Sequence, residues 1–196
     1  MAPMMTAMFG KPVTLATAPG SILAAELKLD AGQKKRIDAL QDKLDKEIGG
    51  VSKGARPSDG FGLLTRMNDI VAQADKDIEA ELSGEQKPLA VALLKNLSML
   101  REAGIPPELY LELKLSGDQM KSLTDALPEI RQENKDRISA TLAAARAGDS
   151  KKAQKLRSGP GEKVSAILTK EQRGLIGKYG KKHPQMMAPG VTFPGT

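Results

Sequence analysis

A five-residue pattern, Leu-[Asp/Ser/Thr]-x-x-Gln, occurs four times in the chain at fixed intervals. The glutamines of the first two copies are 53 residues apart, and so are the glutamines of the last two. The second pair follows the first at a constant offset of 86 residues, because Gln33 corresponds to Gln119 and Gln86 to Gln172. Constant spacing without a gap predicts an internal duplication. The four copies are Leu29–Gln33, Leu82–Gln86, Leu115–Gln119 and Leu168–Gln172.

The pattern has the composition of a capping box, which starts an α-helix. The Ser, Thr or Asp side chain at the N-cap accepts a hydrogen bond from the backbone N–H three residues later, and the Gln side chain reaches back to the N-cap. We therefore assign these residues to structure. The predicted helix-cap residues and their glutamines are Asp30 and Gln33, Ser83 and Gln86, Ser116 and Gln119, and Thr169 and Gln172.

Apolar residues at helical spacing between the motifs predict an all-α fold. Aromatic residues make up only 3% of the chain, which suits helix packing better than a β-sandwich. We expect the pair Gly49-Gly50 to stop the first long helix. The predicted helices run from Asp30 to Ile48, from Ser58 or Asp59 to Glu81, from Ser83 to Gly104, from Pro106 to Leu113, from Ser116 to Ala147, from Asp149 or Ser150 onward, and from Thr169 onward.

The duplication predicts the domain organisation. Two helical repeats cover residues 21–105 and 106–179. A flexible N-terminal segment, 1–20, precedes them, and a flexible Pro/Gly-rich tail, 180–196, follows.

The composition argues against an enzyme. The chain has no Cys, which excludes disulfides, thiolate metal sites and Cys nucleophiles. The single histidine, His183, lies in the predicted tail, where we expect a solvated side chain, so Ser-His-Asp catalysis is disfavoured. The segment Gly50–Gly54 matches G-x-S-x-G but lacks the strand–turn–helix context of a nucleophile elbow. We expect no catalytic residue, no cofactor and no metal ligand.

The net charge of +6 indicates acidic partners: nucleic acid, anionic lipid headgroups or acidic protein segments. Basic residues cluster at 34–36, 151–157 and 173–182. Nucleic acid is not favoured, because no helix-turn-helix spacing is evident and few aromatics are available for base stacking. We read the clusters as a basic surface that attracts acidic protein clients.

Six of the nine methionines lie at the two ends of the chain. Thioethers suit soft ions such as Cu(I), and flexible Met-rich segments suit adaptable apolar contacts. No apolar run has the length of a transmembrane helix, which is about 20 residues. No secretory signal is visible, so a cytosolic protein and a processed secretory protein both stay open.

The complete motif Leu168–Gln172 resembles the Leu-Thr-x-x-Gln motif of the Spy/CpxP family of periplasmic proteins. The connector Pro107-Glu108 between motif pairs resembles tandemly duplicated, planctomycete-type repeat proteins of the same superfamily. The resemblance covers residues 23–179 and implies a bent or cradle-like bundle of helical hairpins. It also implies ATP-independent binding of unfolding proteins during envelope stress. Two motif pairs in one chain imply a monomer that mimics the family's dimer, or a homodimer.

We therefore expect an ATP-independent chaperone-like or client-binding protein of the periplasm or cell envelope. It would bind unfolded or partner protein segments through a basic amphipathic surface. One alternative is a structural or assembly subunit that docks a single dedicated partner. A further alternative is a metal-responsive envelope protein, based on the terminal methionines.

Overall fold

The computed structural model describes residues 13–53, 60–152 and 161–183. These residues form helices and turns and contain no strand, which confirms the predicted all-α fold. Among these helices, none combines the length and the hydrophobicity of a membrane-spanning segment. The helices are α1 (Gly20–Glu26), α2 (Ala31–Lys53), α3 (Gly60–Ala80), α4 (Gln86–Glu102), a 3₁₀-helix (Pro107–Leu109), α5 (Tyr110–Leu113), α6 (Gly117–Arg146), α7 (Glu162–Ile167) and α8 (Lys170–Lys182).

The described residues divide into two compact units, Val13–Lys95 and 96–183, which we call the N-terminal unit and the C-terminal unit. The division falls within α4, whereas the sequence places the repeat boundary between residues 105 and 106. Leu100 and Ala103, at the end of α4, are fully buried in the core of the C-terminal unit. The last turns of α4 therefore belong to that unit.

In the N-terminal unit, α2 and α3 pack together. Ile37, Leu44 and Ile48 of α2 are buried at helical spacing, and Ile78 of α3 is fully buried. The helix α2 continues through Gly49 and Gly50 to Lys53, so the predicted stop at this glycine pair is wrong. Glycine weakens a helix interior by about 1 kcal/mol per residue, which does not end a helix whose neighbouring turns are packed.

The residues before α1 are part of the N-terminal core. Val13 and Leu15 are buried, so the prediction of a flexible segment is wrong for residues 13–20; residues 1–12 lie outside the described part. Two side chains hold this segment. Gln41 Nε2 donates to the carbonyl oxygens of Leu15 and Ala18, and Asp75 Oδ1 accepts from the backbone N–H of Ala16 at 2.7 Å.

The C-terminal unit is held together by α6. Asn134 Nδ2 donates to the carbonyl oxygen of Glu102 at 2.9 Å, and Arg131 Nε donates to the Glu102 carboxylate at 2.8 Å. The Glu133 carboxylate accepts from the backbone N–H groups of Glu162 and Lys163 and so caps the start of α7. These polar contacts fix both the end of α4 and the start of α7 on the same long helix.

Two helix ends in the C-terminal unit differ in how well the sequence predicts them. Gly104 has φ +74 and ends α4, with Ile105 N–H bonded to Leu100 O at 2.8 Å; this is the predicted C′ glycine. The end of α8 is at Lys182, so the predicted tail begins too early at residue 180. His183 is half-buried, and its ring lies 4.6 Å from the Tyr179 ring, instead of being fully solvated.

Candidate binding surface

All four capping boxes have both of their hydrogen bonds. In the first box, Gln33 N–H donates to Asp30 Oδ1 at 2.8 Å, and Asp30 N–H donates to Gln33 Oε1 at 3.2 Å. The boxes at Ser83, Ser116 and Thr169 repeat this arrangement. Each motif therefore starts its helix by the same local chemistry.

The four glutamines also pair with each other, and each pair lies within one unit. In the N-terminal unit, Gln33 Nε2 donates to Gln86 Oε1 at 2.8 Å, and Gln86 Nε2 donates to Gln33 Oε1 at 3.1 Å. The second N–H of each amide reaches a backbone carbonyl, Glu81 O for Gln33 and Leu27 O for Gln86. Both amides thereby use every donor they have.

The C-terminal unit repeats the pair at an offset of 86 residues. Gln119 and Gln172 donate to each other's Oε1 at 2.8 and 3.2 Å. Their second N–H groups reach Ile167 O at 3.0 Å and Leu113 O at 2.9 Å. Glu81 and Leu27 of the N-terminal unit are the residues that precede Ile167 and Leu113 by that offset.

The carbonyls that receive these amides lie next to an unusual backbone position. Lys28 and Lys114 are the residues that follow Leu27 and Leu113, and their φ angles are 50° and 45°. They are the non-glycine residues with positive φ among those the structure describes. A left-handed residue costs about 1–2 kcal/mol, and the glutamine amide holds the carbonyl beside it. The repetition of both features supports the inferred duplication.

The motif residues thus have a structural role. Their amide donors and acceptors are all engaged within the fold, so they have nothing to offer a ligand. Sequence reasoning identified the caps but missed the glutamine pairing; the equal 53-residue separation of the two glutamines was the signal that could have revealed it.

Helices α4 and α8 follow the second motif of each pair and can be compared position by position. At the inner positions, Ala90 and Ile176 are both buried, and so is Leu93, whose counterpart Tyr179 is half-buried. The outer positions differ in chemistry.

The outer face of α4 in the N-terminal unit is apolar. Val91 is 70% exposed and Leu89 is 50% exposed. Pro88 and Ala92, one turn apart on the same side, are exposed as well. Four exposed apolar residues thus lie within two turns, flanked by the exposed Lys87 and Lys95, and clustered apolar residues mark interaction sites more often than single exposed residues do.

The outer face of α8 in the C-terminal unit is basic. The positions that correspond to Pro88, Val91 and Ala92 carry Gly174, Gly177 and Lys178, whereas the counterpart of Leu89 is the half-buried Leu175. Lys170 and Lys181 lie on the same side, one turn before and one turn after these positions. All three lysines are exposed. A Cβ added at Gly174 or Gly177 would meet no atom within 4 Å, so the packing of the described residues does not require glycine there.

The two units also differ in net charge. Residues 13–95 contain 12 Lys and Arg and 13 Asp and Glu, a net charge of −1. Residues 96–183 contain 17 Lys and Arg and 11 Asp and Glu, a net charge of +6. The excess positive charge of the protein therefore belongs to the C-terminal unit.

Helix α3 adds a second apolar face to the N-terminal unit. Five of its apolar side chains remain half-buried after α3 has packed on α2. Residues 149–157, which follow by the offset of 86, are mostly polar and basic, so the C-terminal unit has no sequence equivalent of this face. The five residues are Leu63, Leu64, Met67, Ile70 and Val71.

Tyr179 and Arg101 of the C-terminal unit both interact with Glu108. Burial raises the pKa of Tyr179 to about 12, and the Glu108 carboxylate adds to this through its charge and a hydrogen bond. Burial lowers the pKa of Arg101, which the charge of Glu108 partly opposes. Arg101 Nε is buried without a hydrogen-bond partner.

Within the described ranges, no three His, Asp or Glu side chains lie together as metal ligands would. The methionines that motivate the metal-responsive alternative, at positions 1–8 and 186–187, lie outside the described part. The first four residues of the G-x-S-x-G match, 50–53, belong to α2, and Gly54 lies outside the described part.

Comparison with known proteins adds no relative: no family model, no curated protein and no solved structure matches the chain.

Proposed function

We propose that this protein is an ATP-independent, chaperone-like protein that binds exposed apolar segments of client proteins through its N-terminal unit. The observation that carries the proposal is the outer face of α4, where Val91 is 70% and Leu89 is 50% exposed. Leaving these side chains in water costs free energy that a client segment would recover by covering them. The half-buried apolar side chains of α3 offer further area in the same unit.

The positive charge of the C-terminal unit has a separate contribution to binding. A basic surface speeds the encounter with acidic clients, because long-range attraction raises the association rate more than it raises the final affinity. The bound state then depends on apolar contact. This division predicts association that slows with added salt and complexes that survive it. By resemblance to the Spy/CpxP family, we place this activity in the bacterial periplasm or envelope.

The test is the aggregation of a chemically denatured client, diluted into buffer without ATP and followed by light scattering. We expect suppression at near-stoichiometric ratios by the wild-type chain. Leu89→Gln combined with Val91→Gln removes the apolar patch and keeps good helix formers, so the fold is retained while suppression is lost. Leu142→Gln, at a residue of α6 that is 38% exposed, is the matched control and should suppress aggregation like the wild type.

The dedicated-partner alternative uses the same surface and differs in selectivity. A client-binding protein suppresses the aggregation of several unrelated clients, whereas an assembly subunit suppresses none of them. If no client is protected, or if the α4 variant protects as well as the wild type, the chaperone proposal is wrong.

A further inference from the structure

The outer face of α8 carries cations that the fold does not use. In the described part of the chain, no carboxylate forms an ion pair with Lys170, Lys178 or Lys181. Lys163 of α7, by contrast, is paired with Glu129 of α6. Like charges along one helix repel each other, so an uncompensated row of lysines lowers stability unless an anion covers it.

The three lysines lie in one line. Their positions, i, i+8 and i+11, place them on one side of the helix, spread over about 16 Å along its axis at 1.5 Å per residue. Gly174 and Gly177 lie between them, with open space where a side chain would be. Because glycine weakens a helix relative to alanine, its use here is unexplained by folding alone. The two glycines leave open helix surface between the lysine side chains.

The apolar residues of α8 point the other way. Ile176 is fully buried, and Leu175 and Tyr179 are half-buried and pack against the core of the C-terminal unit. The helix therefore has no apolar side chain available for insertion between acyl chains. Any association with a lipid surface through α8 is electrostatic, shallow and reversible by salt.

From these features we propose that the outer face of α8 binds the surface of a membrane that contains anionic phospholipids. Lysine is a compact point charge that demands no fixed geometry from its partner, and lipid headgroups diffuse laterally to meet it. Nucleic acid fits less well. The lysine face has no aromatic side chain for stacking, and Arg173 at its edge donates instead to the carbonyls of Ser165 and Leu168.

The experiment is flotation of the full chain with vesicles of phosphatidylcholine and phosphatidylglycerol, at about 20 mM and about 500 mM salt. We expect binding at low salt, none at high salt and none to pure phosphatidylcholine. The triple variant Lys170→Gln, Lys178→Gln and Lys181→Gln should bind roughly 100-fold more weakly. The matched control replaces Lys35, Lys46 and Lys76, which are exposed lysines of the N-terminal unit, by glutamine, and should bind within about threefold of the wild type.

Circular dichroism of both triple variants verifies that the helices are intact. Three results would overturn the proposal: no flotation of the wild type at low salt, an equal loss in the control variant, or release from vesicles by an equimolar duplex DNA of the same total charge. The last result would assign the face to nucleic acid. The final extent of suppression in the client assay does not depend on these lysines, so failure here leaves the chaperone proposal intact.

Discussion

Helices α4 and α8 follow the second motif of their units and differ in the chemistry of their outer surfaces. Each begins at a capping box whose glutamine pairs with the glutamine of the preceding motif. Each buries a residue four positions later, Ala90 or Ile176. The exposed side of α4 carries four apolar residues besides Lys87 and Lys95, whereas that of α8 carries lysine and glycine. The inner positions of the two helices therefore maintain the same packing and capping, whereas the outer positions can differ without disturbing it.

The largest effect should come from breaking a glutamine pair without breaking its cap. Gln172→Glu keeps a capping box, in which glutamate is normal, but removes the amide that donates to Leu113 O. Gln172 is only 8% exposed, so we expect a loss of about 3 kcal/mol in the free energy of unfolding. Gln86→Glu, at a half-buried residue, should cost about 1–2 kcal/mol.

Urea unfolding measures both losses. Gln73→Glu is the isosteric control on the exposed side of α3; it loses the hydrogen bond to Asp77 and should cost about 0.5 kcal/mol. If Gln172→Glu costs no more than this control, the glutamine pair does not stabilise the framework, and the structural equivalence of the two units loses its physical basis.

Glycine substitutions distinguish a position that the fold constrains from a position on the outer surface of α8 that it does not. Gly104→Ala places a Cβ at φ +74 and should cost about 1–2 kcal/mol. Gly174→Ala fills open space on the outside of α8 and should raise stability by about 0.5–1 kcal/mol. Thermal unfolding of the two variants therefore shifts in opposite directions. A destabilised Gly174→Ala protein would mean that the outer face of α8 is constrained by packing.

The caps should contribute equally in the two units. Ser83→Ala and Thr169→Ala each remove the side-chain acceptor for a glutamine N–H and should cost about 1 kcal/mol. Chemical denaturation tests this. A cost near zero for Ser83 and a large one for Thr169 would show that the repeated hydrogen bonds do not carry equal weight.

The smallest expected effect concerns an inner position that differs in polarity, Leu93 against Tyr179. The folded-state pKa of Tyr179 is raised to about 12 from an ordinary value of 10.0. The stability that this shift reflects is complete below pH 10 and is lost as the pH rises towards 12. With Tyr110→Phe, phenolate absorbance reports Tyr179 alone. A midpoint near 10 would show that the hydroxyl is solvated.

Much of the framework could be predicted from the sequence, because caps are local. Ser, Thr or Asp followed by Gln fixes a helix start within four residues, and Gly104 ends α4 for an equally local reason. Local sequence signals gave wrong predictions where tertiary packing determines the structure. Gly49-Gly50 predicts a stop, but α2 continues to Lys53; Val13 belongs to a stretch predicted to be flexible and is buried.

The candidate surface was harder to predict. Inner and outer apolar residues of a helix look alike in sequence, so Val91 could not be separated from Ala90 without the direction of the core. Nor does the sequence show which lysines are paired: Lys163 forms an ion pair and Lys170 does not. The glutamine pairs required contacts between residues 53 apart, which no local rule supplies.

Light scattering of an aggregating client, with the two outer faces altered in separate variants, tests the account most directly. We predict that Leu89→Gln combined with Val91→Gln abolishes suppression. The triple lysine variant of α8 should reach the same final suppression as the wild type at a lower rate. If the lysine variant loses suppression while the α4 variant retains it, the apolar face of the N-terminal unit is not the client surface.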